Sequence, residues 1–169
     1  KPRVIGVPTE FVHAKGVDAR VLKNFEESLE QMKKAGYEVR EISLPSLAHG
    51  LSVYYILMPA EVSSNLARMD GVRYGYHRDG ANLLEDYMRS RGEGFGREVR
   101  RRILLGTYVL SSGYYDAYYG RACAVREMLK KDFEKAFEDV DIIATPTTPT
   151  PAFKIGEKSS DPLQMYLAD

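Results

Sequence analysis

The sequence predicts an α/β fold, a sheet flanked by helices, and three observations carry that expectation. Short β-branched runs stand at "VIGV" (4–7), "YEVREISLP" (37–45) and "VDIIAT" (140–145). Between them apolar residues recur at helical spacing. Glycine, proline and aspartate fall where such elements begin and end.

Val4–Val7, closed by Pro8, reads as a buried strand. Asp18 is placed to cap a helix carrying Val21, Phe25, Leu29 and Met32 on one face, with Gly36 at its C-terminal end. Residues 37–45 follow as a second strand. Strand, helix, strand in this order favours a right-handed crossover if the two strands are parallel. A long helix is expected over 46–69, kinked or divided at Pro59. "DGVRYGYHRDGAN" (70–82) is a loop. Three helical stretches come next: a short one near 83–88, one over 95–110 and a long one over 114–137. The last carries Tyr118, Ala122, Val125, Leu129, Phe133 and Ala136 as one stripe, with Ser111 or Ser112 as its cap. Residues 140–145 make a third buried strand, and "PTTPTPAF" (146–153) leaves it as a loop over the sheet end, where α/β folds favour ligands.

The chain has 169 residues, 44% of them hydrophobic, enough for a globular core. Its 24 basic and 24 acidic residues balance, which argues against a dedicated nucleic-acid binder. One cysteine, Cys123, excludes an internal disulfide and fits a reducing compartment. No apolar run approaches the roughly 20 residues of a membrane-spanning helix. Both ends read as cut, so the chain is expected to be a piece of a longer protein, with no internal repeat and no linker between two domains.

Several patterns invite a chemical reading. "GEGFG" (92–96) lacks the order of a phosphate-binding loop and is expected to connect two helices flexibly. His13, His49 and His77 lie far apart, without the spacing of metal ligands. Ser63, Ser64, Ser111 and Ser112 have no neighbouring histidine or lysine to activate them. Among the 12 tyrosines, Tyr115 and Tyr118 fit a core-facing stripe; stacking on RNA is the rival reading.

The run "RRR" at 100–102 divides on a helical wheel. At about 100° per residue, Val99, Ile103, Gly106 and Leu110 share one sector and Arg101 points away from it. Arg100 is also off it, whereas Arg102 lies only about 60° from Val99, on the flank of the buried face. An inward arginine must be paired. Its partner is either an internal carboxylate, Glu98 or Glu93, or the carboxylate of a ligand, which suits the planar guanidinium fork.

Three segments, "YYILMPAEVSSNLARMDGVRYG" (54–75), "GEGFGREVRRRILLGTYVLSSGYYDAYYGRA" (92–122) and "PTTPTPAFKIGEKSSDPLQMYLAD" (146–169), resemble the amidase-signature family. The "DGVRYG" segment is similar to the branch that serves tRNA-dependent amidotransferases. The likeness covers the whole chain. It implies a mixed sheet flanked by helices, with residues 1–169 forming an incomplete piece: the C-terminal part of a single amidase domain, lacking the N-terminal catalytic part and the final strands. The resemblance further implies glutamine hydrolysis through a Ser–cis-Ser–Lys triad, which would lie upstream, so that this piece alone is inactive. Ammonia would pass to a B subunit that uses ATP and Mg to convert Glu-tRNA(Gln) or Asp-tRNA(Asn), and that makes the main tRNA contact. A small C subunit would complete a cytoplasmic heterotrimer. The substrate-binding residues it implies are Arg102 for the glutamine α-carboxylate, Asp169 for the α-amino group, and Tyr54 beside the substrate. No metal site and no cofactor of the chain's own are expected. A general small-amide amidase and an RNA-contacting module are the alternative functions.

Overall fold

The computed structural model describes residues 3–14 and 16–157, which form two compact units: residues up to 45 together with those from 130 onward, and residues 46–129. The first unit is built on a parallel sheet of order β2-β1-β3, with β1 (Val4–Val7) between β2 (Glu38–Glu41) and β3 (Ile142–Ile143). All three described strands run the same way, as a strand–helix–strand connection requires. Ile5 and Val7 of β1 are buried with Leu44, Val12 of the short turn α1 (Thr9–Val12), Ala136 and Val140. Gly6 has no room for a side chain: a Cβ there would stand 3.0 Å from both Ile42 and Val140. Glu10 holds the exit of β2 by accepting from the Leu44 amide at 2.8 Å.

The long helix α2 (Ala19–Lys34) begins where its sequence signals it. The Asp18 carboxylate accepts from the Arg20 amide at 2.8 Å and pairs with the Arg20 guanidinium at 2.9 Å. Those bonds, the guanidinium first, pull the Asp18 carboxyl down to about 2. At the far end Gly36 adopts φ +93°, the Gly36 amide donates to the Lys33 carbonyl and the Tyr37 amide to Met32. This is the six-to-one and five-to-two pair of a glycine-closed helix end. Two details of the expectation change. Met32, at 45% exposure, leaves the stripe. β3 pairs over only two residues at the sheet edge, and Ile142 is exposed rather than buried.

In the second unit, α3 (Gly50–Leu66) follows a 3₁₀ turn (Pro45–His49) and runs through Pro59 without dividing. Its partner is α5 (Arg97–Val109), which runs in the same direction. The two approach closely because Gly106 faces Pro59: a Cβ at Gly106 would fall 1.9 Å from the Pro59 carbonyl oxygen. One step on, Ser63 and Thr107 share a hydrogen bond of 2.9 Å. The Thr107 hydroxyl already donates to the Ile103 carbonyl at 2.8 Å, so Ser63 is the donor between them.

Helix α4 runs from Leu83 to Gly94, longer than its apolar pattern suggests. Asn82 caps it, and Glu85 reaches back to the Ala81 amide at 2.6 Å. Gly92 and Gly94 are therefore helical, and the supposed flexible connection shrinks to Phe95 and Gly96. Arg91 of α4 closes the end of α3, donating to the Leu66 and Met69 carbonyls at 3.0 and 2.8 Å with its guanidinium over the Phe95 ring. The loop 70–82 is well tied. Asp70 accepts from the Val72 and Arg73 amides, His77 bridges the Gly71 carbonyl and Asp79, and buried Ser90 takes the Arg78 amide.

Past α5 a π turn (Tyr115–Gly120) runs directly into α6 (Arg121–Asp139). It is not capped by serine: the Ser111 hydroxyl turns back to donate to the Tyr108 carbonyl at 2.7 Å. The turn also shifts the helical phase. Ala122 and Ala136 of the expected stripe are buried, whereas Tyr118 is 42% exposed and Tyr115 46%. Tyr119 takes the inward place instead, facing Glu61 and Cys123; burial is the main cause of its raised pKa. Among the described residues no helix is long and apolar enough to cross a membrane.

Candidate functional site

The three arginines part as the wheel indicates. Arg102 keeps 23% of its side chain exposed, Arg101 54%, and Arg100 is exposed. Four residues before Gly106, Arg102 lies on the side of α5 that the glycine brings against α3. The guanidinium Nη1 stands 3.4 Å from the Tyr54 hydroxyl and 3.4 Å from Met58 Sδ, both on α3. Nε donates to Glu98 Oε1 at 2.7 Å, one turn back on the same helix. Of the two internal partners the sequence offered, Glu98 is the one used. Glu93 instead accepts from the Tyr76 hydroxyl at 3.1 Å and lies near Arg78.

Glu98 also accepts from Arg101, through Nε and Nη2 at 3.0 Å each. The hydrogen bond from Arg102, followed by that from Arg101, holds its carboxyl below the usual range. Reciprocally, the Glu98 bond raises Arg102 above the ordinary arginine value, with Tyr54 adding to it. The ensemble is one carboxylate between two guanidiniums, with a phenol and a thioether at the outer end of the second. Such an end can bind a planar anion through paired N–H donors.

The structure thus brings Arg102 and Tyr54 together; Asp169 lies outside the described residues. Met58 was not legible, because a methionine in an apolar helix carries no sign of what it will touch.

Tyr108, Tyr114 and Tyr118 form an exposed stack, with centroids 4.3 Å apart for the first pair and 6.1 Å for the second. A hydrogen bond with Tyr114 is the main cause pushing the Tyr108 phenol up to about 12. In the other unit, "PTTPTP" passes along α2 and forms with it a groove of about 460 Å³, lined by Arg20, Asn24, Ser28 and the loop threonines. Among the described residues, no three His, Cys, Asp or Glu side chains are placed to hold a metal ion.

The chain belongs to the amidase family, whose model matches residues 1–169. It is 56% identical over 166 residues to the A subunit of the Alkalilimnicola ehrlichii glutamyl-tRNA(Gln) amidotransferase, covering 98% of this chain and 34% of that protein. It is 57% identical to the corresponding protein of Acidobacterium capsulatum, with 98% and 35% covered. The crystal structure of the A subunit of the Thermotoga maritima glutamyl-tRNA(Gln) amidotransferase superposes with a TM-score of 0.67 at 34% identity, covering 98% of this chain and 31% of that one. A second crystal structure, described as an amidase, gives 0.66 at 29% identity, with 94% and 31% covered. The chain spans about a third of the length of the curated relatives it matches.

Proposed function

We propose that this chain is the substrate-recognition part of a glutaminase subunit in a tRNA-dependent amidotransferase, and that Arg102 holds the α-carboxylate of glutamine. The observation that carries this is the position of Arg102, half-withdrawn on α5, oriented by Glu98 and facing Tyr54 across the α3 contact. Both curated relatives described above are A subunits of glutamyl-tRNA(Gln) amidotransferases, and each match extends over 98% of this chain.

The chemistry is that of a free amino acid. Glutamine presents one anion and one cation two bonds apart, so an arginine and an aspartate together distinguish it from a plain amide. Arg102 takes the first role, Asp169 the second, and the Tyr54 hydroxyl lies beside the carboxylate. In this reading the Ser–cis-Ser–Lys triad belongs to the remainder of the protein. The ammonia is consumed by a B subunit that spends ATP with Mg to amidate Glu-tRNA(Gln) or Asp-tRNA(Asn) and holds the tRNA, with a small C subunit in the same complex.

The test is Arg102→Ala in the full-length protein. Loss of a charge-assisted pair of about 2–3 kcal/mol raises the glutamine KM on the order of 100-fold and leaves tRNA binding by the complex unchanged. Arg102→Lys keeps the charge but loses the fork and recovers only part of the loss. Unchanged glutaminase kinetics in Arg102→Ala refute the assignment. Equal rates on glutamine and on simple amides would point to a general small-amide amidase.

A further inference from the structure

The role given to Arg102 leaves its neighbour Glu98 without one, although Glu98 sits directly against the Arg102 guanidinium. Its carboxylate accepts from Arg102 Nε at 2.7 Å and from Arg101 through two nitrogens at 3.0 Å. A guanidinium offers five N–H donors in a rigid plane. With Nε committed to Glu98, a second carboxylate must approach through the Nη end. That is the end at which the Tyr54 hydroxyl and Met58 Sδ stand, each 3.4 Å from Nη1. These long contacts guide the plane of the fork, and Glu98 sets its rotation.

Two effects oppose each other here. A carboxylate beside a carboxylate-binding arginine repels the incoming anion. An arginine held in advance, however, spares the ligand the entropic cost of freezing a long, rotamer-rich side chain. Arg101 tips the balance: it engages both oxygens of the same carboxylate through two nitrogens, so the Glu98 charge that would repel a ligand is shared between two guanidiniums. We propose that Glu98 is a positioning residue that, with Arg101, presents the Nη end of Arg102 to the substrate and selects amides carrying an α-carboxylate. The proposal rests on the reading of Arg102 given above.

The experiment compares glutamine with 4-aminobutanamide, which is glutamine without its α-carboxylate, as substrates of the full-length protein. Glu98→Ala is expected to raise the glutamine KM about tenfold, the cost of a misplaced binding group, with kcat within about twofold. The kcat/KM for 4-aminobutanamide should not move. Glu98→Gln, which keeps an oxygen acceptor at Nε, should recover most of the KM. If the alanine variant does not fold, Glu98→Asp, one methylene short of Nε, carries the same expectation. Equal losses on both substrates mean a merely structural role and overturn the proposal, as does an unchanged glutamine KM. If Arg102→Ala raises KM and Glu98→Ala does not, positioning fails alone; if Arg102→Ala has no effect, the underlying reading fails.

Discussion

Replacing Gly106 with alanine sets two magnitudes against each other. Helix propensity alone favours the change, since alanine in a helix interior is better than glycine by about 1 kcal/mol. The contact with α3 opposes it. The new Cβ would lie 1.9 Å from the Pro59 carbonyl oxygen, 2.4 Å from its carbon and 2.8 Å from Ser63 Cβ. The obstacle is the backbone of a fully buried proline, so no change of rotamer relieves it. Restoring 3.0 Å requires α3 and α5 to part by about 1 Å. That breaks the Ser63–Thr107 hydrogen bond, about 1 kcal/mol, and disturbs a close-packed seam at a cost of about 1–3 kcal/mol. The net effect is a loss of about 2 kcal/mol, equivalent to about 30-fold faster hydrogen exchange in the two helices. Exchange measured by mass spectrometry on the full-length protein, over residues 50–66 and 97–109, reads this directly. Parting the helices also draws Arg102 away from Tyr54 and Met58, so the glutamine KM should rise together with the exchange rate. Slower exchange in the variant, as propensity alone demands, would refute the reasoning.

Two further outcomes follow from the ties around α3 and α4. Arg91→Lys cannot reach both the Leu66 and Met69 carbonyls while stacking on Phe95, so the last turn of α3 should lose about 1–2 kcal/mol of protection in the same exchange measurement. His77 faces two acceptors, the Gly71 carbonyl at 2.7 Å and Asp79 at 3.0 Å, so only the doubly protonated ring donates to both. The Asp79 bond first, and the carbonyl second, raise its pKa above the ordinary 6.5. A raised pKa contributes stability that is fully present below 6.5 and is lost as pH rises through the folded value. Proteolysis within residues 70–82 should therefore quicken as pH climbs through that window, and His77→Gln should remove the dependence; a flat profile in the wild-type protein would contradict it.

Features written locally in the chain were legible. Asp18 and Gly36 bound α2 because a cap and a left-handed glycine act within a few residues of themselves. The division of the arginine run followed from 3.6-residue periodicity, which left Glu98 and Glu93 both open as the internal partner; the structure uses Glu98. What stayed hidden depends on residues distant in sequence. Nothing around Gly106 announces that Pro59 will press on it, or around Arg91 that it will close another helix. Gly92 and Gly94 looked like a hinge because propensity penalises glycine in helices. The capping by Asn82 and Glu85, with Tyr76 packed 3.2 Å from where a Gly94 Cβ would stand, outweighs that penalty. Tyr115 and Tyr118 were misplaced for a different reason: a constant angular step was carried across a segment that does not keep it.

That segment, Tyr115–Gly120, holds one more residue than an ordinary helical span of its length needs. A homologue one residue shorter between these positions could close the same span as plain α-helix. The side chains preceding the deletion would then rotate by about 100° against α6. Tyr118 would move into the inward place now held by Tyr119, and out of its stack with Tyr114. The outward face of the tyrosine row is thus fixed by a count, not by polarity, and a single-codon change in length would reach it more effectively than any substitution of the tyrosines themselves.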